Sequence, residues 1–95
     1  MISKKNLSRK LRLLNALLKE HRNMVDEQWK KDAFFDAQSM CLTLSNRMEA
    51  EDYDEAMRLW GQLERFINDS VPGNEAFLSS YLPLRQALIN FGLNE

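Results

Sequence analysis

The sequence predicts an all-α fold, a small antiparallel helical bundle of three main helices plus a short C-terminal helix. Two observations carry this expectation. No Gly or Pro occurs between Met1 and Trp60, so the two strongest breakers of regular structure are missing from more than half of the chain. Apolar residues there recur at helical spacing and nowhere alternate as a half-buried strand requires. The chain has 95 residues, 44% hydrophobic and 28% charged. That suits one helical domain over 1–95 and excludes disordered, collagen-like and disulfide-scaffold classes.

The first helix rests on Leu7, Leu11, Leu14 and Leu18, a 4-3-4 seam that Leu13 and Leu17 widen. Ser3 is positioned to cap it, its hydroxyl accepting an orphan backbone N–H. The seam runs out between His21 and Gln28, where a second helix restarts with Asp26 as its cap. In that helix Trp29, Ala33, Ala37, Met40, Cys41, Leu44 and Met48 share one face, with Phe34 at its edge and an end near Glu49. Phe35 and Leu42, seven residues apart, fall on the other side with Met24 further back. This second stripe needs a cover, either another helix of the chain or a partner.

Asp52 and Glu55 have the spacing of a capping box, which starts a third helix. Its apolar face is Tyr53, Ala56, Leu59, Trp60, Leu63, Phe66 and Ile67, with Arg58, Gln62, Arg65 and Gly61 on the polar side. Ser70-Val71-Pro72-Gly73 ends it as a turn. A short helical turn from Glu75 then precedes a final helix over 83–91, because a residue before proline, here Leu82, is driven out of helical geometry. Gly92 provides the C-terminal cap.

The stretch Glu51-Asp52-Tyr53-Asp54-Glu55-Ala56, leading to Trp60 and Leu63, resembles the turn and second helix of a tetratricopeptide repeat, one degenerate unit across residues 37–70. The resemblance implies a helical hairpin that serves partner binding. It makes Tyr53, Ala56 and Trp60 packing positions and assigns no binding residues.

Little in the chain suggests catalysis. One His and one Cys cannot supply the ligands of a zinc site, so no metal is expected. The acidic run from Glu49 to Glu55 lacks the glycine of a calcium loop, since Met57 stands where it belongs. Gly61, Gly73 and Gly92 are isolated, which leaves no phosphate loop and no expected cofactor. His21 reads as a boundary residue and Cys41 as a small buried hydrophobe. The expectation is a nonenzymatic protein.

Charge is divided along the chain. Residues 1–31 hold nine basic groups against three acids, a net +6, whereas residues 32–95 hold four arginines against eleven acids, a net −7. The first nineteen residues carry six basic groups and no acid, a composition shared with organellar transit peptides; the segment is nevertheless expected to stay with the domain. The apolar runs are far too short to span a bilayer, and a lone cysteine places the chain in the cytoplasm. Two kinds of binding follow. The main expectation is an adaptor, dedicated chaperone or regulator docking a protein or a second copy of itself through Phe35 and Leu42, with Lys30 and Lys31 as rim charges. The alternative is nucleic-acid binding through Lys4, Lys5, Arg9, Arg12 and Lys19.

Overall fold

The computed structural model describes residues 2–94 and contains four helices. They are α1 (Lys4–Met24), α2 (Gln28–Glu49), α3 (Tyr53–Ser70) and α4 (Glu75–Asn90). No strand occurs among the described residues. Helix α1 packs against α2 and α4, and α2 also packs against α3. Consecutive helices run in opposite directions. At one end the Ser3 N–H donates to the Phe91 carbonyl at 2.9 Å and Lys4 Nζ donates to the Glu49 carbonyl at 3.3 Å. At the other end the His21 ring meets those of Phe34 and Phe77.

The core follows the amphipathic faces. Leu7, Leu11, Leu14 and Leu18 of α1 are fully buried, as are Ala56, Trp60 and Leu63 of α3. From α4 come Leu88 and the rings of Phe77 and Tyr81, which continue the aromatic cluster begun by Phe34. Leu17 is buried but Leu13 is half exposed, so the leucine face of α1 is narrower than the sequence suggests.

Helix α2 is rotated from its expected setting. Phe34 is buried in the core and Trp29 lies outside it, with its indole N–H donating to Glu27 at 2.7 Å. The cap of α2 is Glu27 rather than Asp26. Packing chooses the face here, because the apolar residues of α2 are spread around the helix and each candidate stripe is incomplete.

Three local expectations are corrected. Ser3 and Asp52 occupy cap positions, but neither side chain bonds a backbone N–H. Ser3 Oγ instead accepts from Asn6 Nδ2, and the capping box fails because Glu55 pairs with Arg58. Gly61 is buried, although it lines a groove with Arg58 and Arg65 on the side the sequence expects. Helix α4 is one continuous element of 16 residues with Pro83 inside it, longer than the final helix the sequence suggests. Asn74 starts it by accepting the Phe77 N–H at 2.8 Å. The burial of Phe77 and Tyr81 then outweighs the ladder bond that proline removes.

The C-terminal ends of α2 and α4 are closed by backbone bonds. Leu93 N–H bonds the Leu88 carbonyl and Gly92 N–H the Ile89 carbonyl, with Gly92 at φ 128°, where a side chain would be strained. The same pattern closes α2, with Asp52 N–H on Arg47 and Glu51 N–H on Met48. There a non-glycine residue, Glu51, takes φ 61°.

Candidate functional site

The outer side of the α1–α2 pair carries a surface where exposed apolar side chains meet several cations. Phe35 and Leu42 are 50% and 52% exposed, although α2 is flanked by α1 and α3. The stripe singled out in the sequence is therefore left open by the chain's own helices. Seven residues advance a helix by two turns, about 10.5 Å, so the two side chains stand one above the other on the same side.

Polar bonds tie the seam between the helices. Gln38 Nε2 donates to Asn15 Oδ1 at 3.3 Å, and Ser8 Oγ donates to Glu49 Oε1 at 2.7 Å. Shallow grooves run along it. Phe35 lines one together with Arg22 and Lys31, and Leu42 lines another with Arg12 and Ser45. A third is bordered by Lys4, Lys5, Arg9 and Arg12. The Arg22 guanidinium lies over the Phe35 ring, 5.7 Å from its centre, a cation–π placement that holds one face of the ring at the groove edge.

The structure thus joins the two sets of residues that the sequence kept as alternatives. Lys4, Lys5, Arg9 and Arg12 of α1 border grooves on the same side of the molecule as Leu42, and Lys19 continues their helical register. Lys31 shares a groove with Phe35, but Lys30 does not. Lys30 faces away, paired with Glu27 at 3.1 Å and lying over Trp29. Arg22 was missing from the sequence reading; its position four and three residues beyond Leu18 and Lys19 put it on the basic arc, but only the tertiary pairing sets it over Phe35. The cations in ion pairs among the described residues are Lys4, Lys30, Arg58 and Arg85. Lys5, Arg9, Arg12, Arg22 and Lys31 keep their charge for a ligand.

A second apolar patch, Leu78 and Leu82 on α4, is 43% and 54% exposed. It also escaped the sequence reading, which broke α4 at Leu82. Arg85, three residues beyond Leu82 on the same helix, is engaged with Glu64.

The remaining reactive groups are withdrawn from solvent. Cys41 is fully buried, its Sγ 3.5 Å from the Leu11 carbonyl, and burial pushes the thiol from its ordinary 9.0 up to about 12. Tyr81 is likewise buried, and burial aided by the Glu64 carboxylate raises its hydroxyl from 10.0 to about 12. Both groups favour their neutral forms in the folded chain. Their contribution to stability is therefore complete below about pH 9 and declines as pH rises toward 12, because only the unfolded chain releases these protons. Unfolding free energy should be flat through neutral pH and fall across that alkaline window, as urea titrations would show. A thiol-reactive dye at neutral pH should label Cys41 only on unfolding.

Among the described residues, no group of three His, Cys, Asp or Glu side chains is placed to hold a metal ion. No helix among them is long and apolar enough to cross a membrane. Comparison with protein-family models, curated proteins and solved structures gives no match to this chain.

Proposed function

We propose that this chain is a nonenzymatic protein-interaction module, acting as adaptor, dedicated chaperone or regulator of a larger assembly, and that it docks its partner on the outer face of α1 and α2. The observation that supports this most is the half exposure of Phe35 and Leu42 in grooves shared with Arg12, Arg22 and Lys31, none of which is in an ion pair among the described residues. Covering the exposed halves of the two side chains would remove about 200 Å² of apolar surface from water, worth about 5 kcal/mol before the costs of association. Lys31 and the arginines around them would act mainly on association rate and selectivity.

Nucleic-acid binding stands as the second reading, favoured by the groove that Lys4, Lys5, Arg9 and Arg12 share. Capture from a lysate of the source organism separates the two. The tagged chain and its Phe35→Glu variant are compared, with and without nuclease, at low and high salt. The interaction reading expects a protein that survives nuclease and salt with the native chain and is lost with Phe35→Glu, while circular dichroism of the variant stays native. Retention that nuclease or salt abolishes, and that Phe35→Glu leaves untouched, would move the function to nucleic acid.

A further inference from the structure

We infer that the occupant of the α1–α2 face is an acidic amphipathic helix of a partner protein, laid along the α1–α2 seam with apolar side chains on Phe35 and Leu42. The inference rests on the interaction reading above and adds the chemistry of the partner. Phe35 and Leu42 stand two helical turns apart and each lines a groove. A helix lying alongside presents side chains at i and i+7 with the same separation, so two of its apolar residues can engage both anchors at once.

Charge selects the sign of that helix. The groove-lining residues include the cations Lys4, Lys5, Arg9, Arg12, Arg22 and Lys31, against the two acids Asp32 and Glu49. Asp32 Oδ1 accepts from Gln28 Nε2 and Glu49 Oε1 from Ser8 Oγ, neutral donors that leave both charges in place, so the lining is net positive by the excess of cations alone. Carboxylates spaced along the flanks of the incoming helix would meet Arg12 at one anchor and Arg22 with Lys31 at the other. Arg22, held over the Phe35 ring, presents a planar guanidinium suited to bidentate carboxylate binding.

The same features disfavour other occupants. A second copy bound through this face by a two-fold axis would set the same cations against each other. Phosphates of a nucleic acid would satisfy the cations but leave Leu42 without an apolar partner.

The test uses the full chain and a helix-stapled synthetic peptide with leucines at heptad spacing and glutamates elsewhere, alongside a charge-swapped peptide bearing lysine for each glutamate. A duplex oligonucleotide and phosphatidylserine–phosphatidylcholine vesicles complete the set, and circular dichroism checks each variant. Binding of the acidic peptide is expected, weakened about thirty-fold or more by Leu42→Asp and about ten-fold by Arg12→Glu. The charge-swapped peptide should not bind. Equal binding of both peptides, still abolished by Leu42→Asp, would overturn the acidic partner and leave the docking face standing. Binding of neither peptide also overturns the acidic helix, with the capture experiment deciding the broader reading. Binding to oligonucleotide or vesicles alone, indifferent to Leu42→Asp, would overturn both.

Discussion

Phe34→Ala should lower stability by about 3–5 kcal/mol, and Phe35→Ala, one residue along, by about 1 kcal/mol or less. The contrast follows from position on one helix. Phe34 is 1% exposed and its ring contacts those of His21 and Phe77, so truncation leaves a cavity that three helices border. Phe35 is half exposed and has the Arg22 guanidinium over one face; truncation removes mainly surface already in water. A domain of this kind has about 5–15 kcal/mol in all, so the first change approaches the whole margin. Urea unfolding followed by circular dichroism measures both. Equal losses would mean that Phe35 belongs to the core and that the α1–α2 face is not an open surface.

The tryptophans should divide the same way. Trp60 is fully buried on α3, among Ala56, Leu63 and Ile67 of the same face. Trp60→Ala should cost about 3–5 kcal/mol, since nothing nearby is large enough to refill the space. Trp29 is 58% exposed, with its indole N–H on Glu27 and Lys30 over its ring, surface contacts of which Phe keeps the ring face, so Trp29→Phe should cost about 0.5 kcal/mol or less. Fluorescence reports on each separately. The Trp29→Phe variant, which keeps only Trp60, should emit to the blue and resist acrylamide until it unfolds. Ready quenching in the native state would place Trp60 outside the core.

Where one face of a helix is unambiguous, the sequence foretells its burial. Leu7, Leu11, Leu14 and Leu18 of α1 and Ala56, Trp60, Leu63 and Ile67 of α3 are in the core because hydrophobic burial alone chooses them. Helix α2 was less legible: Trp29 and Phe34 compete for the core, and the choice depends on how α1 and α4 present His21 and Phe77. Local rules also yielded to tertiary ones at Pro83. The capped start at Asn74 and the buried rings of Phe77 and Tyr81 carry α4 through a residue that alone would end it. The caps expected at Ser3 and Asp52 failed because nearer side chains, Asn6 and Arg58, engaged Ser3 and Glu55.

The candidate site was legible in pieces. Phe35 and Leu42 stood out as apolar residues that the core face of α2 did not use, and the basic arc of α1 stood out by charge. Their union on one surface depends on the side-by-side packing of α1 and α2, with Arg22 reaching Phe35 across the seam. Helical periodicity describes one helix at a time and does not contain that relation. Lys30 shows the converse. It is adjacent to Lys31 in sequence but 100° away around the helix, and it turns to Glu27.

The most direct measurement of the docking claim is site-specific photo-crosslinking in the source organism. A photoreactive amino acid replaces Leu42 in one version of the chain and Leu82, on the second exposed patch, in another. Irradiation should yield a discrete protein adduct through position 42 and none through position 82. Adducts through position 82 alone would place the partner on α4 and contradict the assignment of the α1–α2 face.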